Sequence, residues 1–518
     1  MFELDADIHA FLSAPSTHGL PSGERVAVLE THGAVVFLAG ETAYKAKKPV
    51  RFDYMDFSTL QSREAVCQRE LELNRSYAPH IYQGLSWVTR AAGGALAIDG
   101  TGERIEPLVR MRRFPAGALF SELARSDQLE LKLAIPLARA VRASHEKAAP
   151  ARAAASFDHL LAVLDGDVKT FTASSDVFAE TGWARICAGI HEALTDCREI
   201  LDARAHRGLV RRCHGDLHLD NIVLIDGEPV LFDALEFDEA FATTDIAYDL
   251  AFLLSDAVRL GQRGFANAVL NAYLARCPSE ELDMLAVLPA LCALRAMVRA
   301  KVSSDRAMEC GPGAAKDSAV STATVCIALA GELLQRPPPR LIALGGLSGT
   351  GKSTLARGLV SAINGGLGSV ILRSDVERKA MLGHEEHERL SEPAYSAEIN
   401  ARTHARLIER ARIALASGAS VIIDAVNARA DERAELRVLA ERNGARFDGL
   451  WLEAPADHLR GRVAARTGDA SDATVEVLER QFRYDVGPLD GWSRIDASGA
   501  PFAVLERALA AIQSTLSF

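Results

Sequence analysis

Apolar and polar positions change their period several times along the chain, and those changes divide it. Residues 24–60 alternate apolar and polar, with Gly33 and Gly40 at turn positions, which predicts strands near Val26–Glu30, Ala34–Leu38 and Ala43–Lys47. Residues 61–78 have helical spacing. From about residue 115 helical patterns dominate, interrupted by two short strand-like runs, Ile222–Ile225 and Val230–Phe232. The first part therefore reads as an α+β domain over 1–335, with a small sheet lobe over about 1–114 and a large helical lobe over about 115–335.

The texture breaks at Arg336-Pro337-Pro338-Pro339-Arg340. Three prolines suit neither a helix interior nor a central strand, so 336–340 reads as an extended linker. Beyond it, short apolar runs at Leu341–Leu344, Val370–Leu372, Val421–Ile423 and Gly449–Leu452 alternate with helical stretches. That alternation predicts an α/β domain over 341–518, with a parallel sheet covered by helices on both faces. The whole is multidomain, as expected for 518 residues.

Composition narrows the class. Hydrophobic residues at 48% and charged residues at 25% exclude a disordered or fibrous chain. A net charge of −11 argues against non-specific binding to a nucleic-acid backbone. The eight cysteines form no CxxC pair, which removes a metal clip and favours reduced, buried thiols. The N-terminus lacks a positive segment followed by an apolar core, and no apolar stretch is long enough to span a bilayer. The expected location is cytoplasmic, with no membrane partner.

Two segments carry chemistry. Gly346-Leu347-Ser348-Gly349-Thr350-Gly351-Lys352-Ser353 fits G-x-x-x-x-G-K-[ST], between an apolar run and a helix opened by Thr354. Glycines let backbone amides turn inward around phosphates, Lys352 supplies charge, and the Ser353 hydroxyl suits Mg²⁺. Asp424, at the end of an apolar run, is the expected second acid on the metal side. Ala425 follows it where a hydrolytic motor carries a carboxylate, which favours transfer to an acceptor over hydrolysis. Asp375 lies at the mouth of the sheet as a candidate acceptor base, with helix N-capping as its structural alternative. Arg378 is placed to hold an anionic group, and Arg462 and Arg466, four residues apart, to neutralise charge on the transferring phosphoryl group.

The second segment, His214-Gly215-Asp216-Leu217-His218-Leu219-Asp220-Asn221, fits H-x-D-x-x-x-x-N. Asp216 is the candidate base, Asn221 a metal ligand, and Asp233, after a short hairpin, the second metal acid. His218 reads as a loop-stabilising hydrogen-bonding residue. A lysine on the third strand should hold the α/β-phosphates, paired with a helix glutamate. Lys45 and Lys47 alternate to the same face, and Lys45 is preferred because Ala43 leaves room for an adenine ring. Glu70 is preferred over Glu64 and Glu72 as its partner.

These residues carry resemblances. GLSGTGKS, RSDVERK, VIIDAVN and RVAARTGDASDA resemble the P-loop small-molecule kinases, a group with gluconate-kinase-like enzymes and polynucleotide 5′-hydroxyl kinases. ETHGAVVFLAGETAYKAKKPV, HGDLHLDN and LFDALEF resemble the aminoglycoside phosphotransferase and choline-kinase branch of the protein-kinase-like fold. Within that branch Met111 joins the nucleotide site, His32-Gly33 stands where a Gly-rich loop would cover phosphates, and Asp245 and Asp249 buttress the catalytic loop. Together the halves resemble a bacterial family in which an aminoglycoside-phosphotransferase-like domain is fused to a P-loop kinase. The resemblance implies a bifunctional phosphotransferase using ATP and Mg²⁺ on small hydroxylated acceptors. The alternatives are a regulatory ATP-binding module in one half, or a nucleic-acid 5′-hydroxyl kinase at the C-terminus.

Overall fold

The computed structural model describes residues 4–31, 33–52, 55–151, 156–363, 365–465 and 470–514. Two compact units result, the first built from 1–154 and 205–260, the second from 155–204 and 261–518.

The first unit contains a six-stranded antiparallel sheet. Its strands are β1 (Ala27–Glu30), β2 (Ala34–Ala39), β3 (Thr42–Lys47), β4 (Tyr82–Arg90), β5 (Leu96–Ile98) and β6 (Glu103–Arg112), in the order β1-β2-β3-β6-β4-β5. Alternation decides which side chains go inward: Val35, Phe37 and Ala39 of β2 are buried. Gly40, at φ 56°, takes the left-handed turn that joins β2 to β3 in register, pairing Ala39 with Thr42. Helix α1 (Leu60–Arg75) starts at a Thr59–Ser62 capping box and lays Cys67, Glu70 and Leu71 against the sheet. A second tight turn, Asp226-Gly227, has both φ values positive and closes the hairpin of β7 (Ile222–Ile225) and β8 (Glu228–Leu231). The strongly apolar helix α2 (Ile246–Arg259) is buried beneath this hairpin's loops and is N-capped by Asp245.

The second unit holds a five-stranded parallel sheet, of which four strands coincide with the apolar runs read in the sequence. In chain order the strands are β9 (Arg340–Gly345), β10 (Val370–Arg373), β11 (Val421–Asp424), β12 (Arg446–Glu453) and β13 (Trp492–Asp496). Their spatial order is β10-β11-β9-β12-β13. Leu341, Ile342, Ala343 and Leu344 are fully buried, as a central strand with helices on both faces requires. The fifth strand escapes the sequence pattern because only Trp492 and Ile495 of its five residues are buried at the sheet edge. The unit's helical part includes α3 (Arg263–Ala275) and the long antiparallel pair Met284–Glu309 and Ala314–Leu333. Around the sheet lie α4 (Lys352–Ile363), α5 (Ser374–Met381), α6 (Ala397–Ala416), α7 (Ala456–Ala464) and α8 (Val475–Gln481).

The proline segment marks the change from helical to α/β architecture, but it is not the division between compact units. Helices before it pack with the sheet after it, through the hydrogen bonds of α3 described below. Seven cysteines are buried and Cys310 is half-buried, all as free thiols. No helix among the described residues is long and apolar enough to cross a membrane.

Candidate active sites

In the first unit β3 delivers two lysines to one buried acid. Lys45 Nζ lies 2.9 Å from Glu70 and 2.5 Å from Asp233, while Lys47 lies 2.6 Å from the other Glu70 oxygen and also pairs with Glu236. Glu70 is fully buried. Against the cost of burial, the two ammonium groups hold its carboxyl down at about 2. Burial likewise opposes the charge on Lys45, yet Asp233 and Glu70 keep its pKa well above the ordinary lysine value. Both lysines thus face Glu70, and only Lys45 also reaches Asp233.

Asp233 is held in a left-handed backbone conformation, φ 59°. Its amide donates to the Tyr82 hydroxyl at 3.1 Å, and the next amide, of Ala234, donates to Asn74 at 2.8 Å. The surrounding structure therefore sustains a conformation that costs a non-glycine residue roughly 1–3 kcal/mol. Met111 on β6 pairs with Ala43 on β3, and both belong to the apolar cluster lining this side of the sheet.

The 214–221 loop is fixed from below. The Asp249 carboxylate of α2 accepts the Gly215 amide at 2.8 Å and approaches His145 at 3.1 Å. Burial would raise the Asp249 pKa, but the His145 hydrogen bond and charge bring it below the usual carboxylate value. Asp249 thus buttresses the loop, whereas Asp245 serves as the helix cap. Asn221 Nδ2 donates to the backbone and side-chain oxygens of Asp216, each at 2.9 Å. That leaves its side-chain oxygen as the atom for a metal. His218 accepts the Asp220 amide through Nδ1. The Asp216 and Asp233 side chains remain 40% and 34% exposed, so both carboxylates are reached by solvent. Carboxylate and amide oxygens are the donor set of a hard cation such as Mg²⁺. Gly33 is among the described residues, whereas His32, its partner in the expected phosphate cover, lies outside them.

In the second unit, the loop after β9 opens into a cleft of about 990 Å³ lined by Ser348, Gly349, Gly351, Lys352, Ser353 and Thr354. Gly346 and Gly349 have φ values of 132° and 85°, and any side chain at Gly346 would meet the Leu452 carbonyl at 2.5 Å. Thr350 Oγ1 donates to Leu347 O within the loop. Lys352 Nζ donates to Gly346 O and Leu347 O at 2.8 and 3.0 Å. The Ser353 hydroxyl donates to Asp424 at 2.6 Å, so the hydroxyl–carboxylate pair suited to Mg²⁺ is assembled. Asp375 and Arg378 line the same cleft. Burial raises the Asp375 pKa, and the charge of Asp424 adds to that rise against a hydrogen bond from Ser471. Arg378 stacks 4.8 Å from the Tyr395 ring and donates to Ala394 O, and its buried Nε has no hydrogen-bond partner among the described residues.

Arg462 of α7 also lines this cleft, with its guanidinium held by backbone carbonyls. Its guanidinium donates to the Ala497 carbonyl at 2.9 Å and approaches those of Gly349, Ser498 and Gly499 at 3.4 Å. Arg466 lies outside the described residues.

Sequence reasoning gave no role to three further groups. Arg373 bridges Asp424, Ser353 and Glu386, at 3.2, 3.1 and 3.2 Å. Gln481 of α8 accepts the Ser348 amide at 2.8 Å and so fixes the phosphate loop. Asp472 accepts from Lys379, Tyr395 and the Leu390 amide, joining three sides of the cleft. Arg373, two residues before Asp375, and Asp472, in the RVAARTGDASDA segment, lay within the motif segments, whereas Gln481 had no local signal.

An AAA-domain family model matches residues 341–485. An adenylyl-sulfate kinase of Myxococcus xanthus is 34% identical over 157 residues, covering 30% of this chain and 76% of that protein. A solved choline/ethanolamine kinase family protein from Mesorhizobium loti is 18% identical, covering 62% of this chain and 94% of its own, with a TM-score of 0.34. An uncharacterised protein of Mycobacterium tuberculosis is 32% identical over 486 residues, covering 91% of this chain and 92% of its own length. The chain belongs to the same family as this mycobacterial protein.

Proposed function

We propose that the chain is a phosphotransferase with two separate ATP–Mg²⁺ sites, each acting on a hydroxyl of a small molecule. The observation that carries this reading is duplication. One unit brings Lys45, Glu70 and Asp233 together beside Asp216 and Asn221, and the other brings Ser353 and Asp424 together under a phosphate loop beside Asp375. When bound, Mg²⁺–ATP would supply the phosphoryl group and the positive charge that offsets its negative charge.

At the first site Lys45 binds the nucleotide phosphates and Glu70 holds Lys45 in place. Asn221 and Asp233 hold the metal. Asp216 orients the acceptor hydroxyl and takes its proton. At the second site the loop amides and Lys352 bind phosphate, while Ser353 and Asp424 hold the metal. Asp375, its pKa raised by burial, takes the acceptor proton. Arg378, with a buried unpartnered Nε, suits an acceptor that carries an anionic group. Catalysis at both sites rests on positioning and charge stabilisation.

The test is mass-spectrometric. Protein, ATP and Mg²⁺ are incubated with a cell metabolite extract, beside Asp216→Asn and Lys352→Ala. One product lost only in Asp216→Asn and another lost only in Lys352→Ala are expected. A product that survives in both variants contradicts the assignment of its site.

A further inference from the structure

The acceptor side of the P-loop cleft is attached to a helix that lies outside 341–518. Strand β10 is an edge of the parallel sheet, and its outer backbone groups need partners. Helix α3 supplies them with side chains. Asn271 Oδ1 accepts the Ile371 amide at 2.6 Å, and its Nδ2 lies 3.2 Å from Ser369 O. Asn267 Nδ2 donates to Leu367 O at 2.8 Å and Ser369 O at 3.0 Å, and Arg263 donates to Gly366 O. Asn271 also donates to Asn267 Oδ1 at 2.9 Å, which fixes both amides relative to one another. Gly368, at φ 81°, allows this approach: a Cβ there would lie 2.9 Å from Asn267 Nδ2 and 2.6 Å from Val360.

A second set of contacts reaches α5, which carries Asp375 and Arg378. Glu377 of α5 is 98% buried and pairs with Arg406 at 2.8 Å and Arg410 at 3.0 Å. The Arg410 guanidinium, fully buried, donates in turn to Leu274 O and Cys277 O at the C-terminal end of α3, at 2.6 and 2.8 Å. Arg276, immediately after α3, makes a two-pronged contact with Glu385 beyond α5, 2.8 Å on each arm. The strand before Asp375, the helix that bears it and the segment after that helix are all tied to α3.

We propose that Asn267 and Asn271 of α3 are positioning residues for the P-loop site: through β10 and α5 they set the place of Asp375 and Arg378, without contacting nucleotide. The inference rests on the reading of that cleft as a phosphoryl-transfer site. Nucleotide binding belongs to the loop after β9, which α3 does not hold by these bonds. Loss of the asparagine contacts should therefore act on transfer and spare ATP binding.

The experiment uses the full chain in an Asp216→Asn background. Asn267→Ala with Asn271→Ala is compared with Asn271→Asp, which keeps the acceptor for the Ile371 amide and loses the donor to Ser369. Amide hydrogen exchange is followed over 370–378 and 346–353, and transfer from MgATP to the anionic fraction of a cell metabolite extract is assayed. Exchange over 370–378 should rise about tenfold in the double variant, with 346–353 within about twofold of the parent. The kcat should fall about a hundredfold with the KM for MgATP within about twofold, and Asn271→Asp should lie between. Unchanged exchange over 370–378, or an unchanged kcat despite faster exchange, overturns the proposal. If no product depends on Lys352, the reading of the cleft has failed, and exchange alone then decides whether α3 holds the strand.

Discussion

Asp375 joins three features in one side chain: it follows a sheet strand, it lines the phosphate-loop cleft, and burial lifts its pKa above the ordinary carboxylate value. A base must be ionised to accept a proton. Transfer at the second site should therefore be complete above the raised pKa and fall as pH drops through it, with the acid limb above the range of an exposed aspartate. Asp375→Asn should lower kcat by about 10²–10⁴ and abolish that limb, while leaving MgATP affinity nearly unchanged. A kcat–pH profile of wild type and variant checks this, and a limb that persists in the variant assigns the titration to another group. Glu70 shows the opposite use of burial, since its two lysine neighbours outweigh desolvation and keep it charged. That is why Lys45 and Lys47 were inseparable by alternation alone: they share one face and one acid.

At the scale of elements, much was legible because local rules coincided. The central strands are continuous apolar runs, and the glycines of the phosphate loop sit between a strand and a helix. The Asp226-Gly227 turn returns β8 so that Asp233 comes back to the 214–221 loop. Other features were not legible, because they arise from residues far apart in the chain. Gln481 reaches Ser348 across 133 positions, and Asn271 reaches Ile371 across 100. No spacing rule relates such pairs. The edge strand β13 is half polar and lacks a strand's usual pattern. The phosphate loop provides a sharp local prediction. At Gly349, φ is 85° and a Cβ would stand 2.9 Å from the Leu459 carbonyl. Gly349→Ala combines a disfavoured conformation, worth roughly 1–3 kcal/mol, with a backbone clash. It should weaken nucleotide binding at the second site by about tenfold or more, measured by titration with a non-hydrolysable ATP analogue.

Across the whole molecule, each of the two compact units carries its own candidate phosphate site, and the two differ in chemistry. One brings a strand lysine against a helix glutamate, the other sets a glycine-rich loop at the head of a helix. The helices before the proline segment share a unit with the P-loop sheet, so the linear order of segments understates how the second unit is built. The central claim is that each unit binds its own Mg²⁺–nucleotide. The most direct test is calorimetric titration of the full chain with Mg²⁺ and a non-hydrolysable ATP analogue, for wild type, Lys45→Ala and Lys352→Ala. The account predicts two nucleotides per chain in wild type and one in each variant, with a different site remaining in each. A single nucleotide in wild type, or wild-type stoichiometry and affinities in either variant, contradicts it.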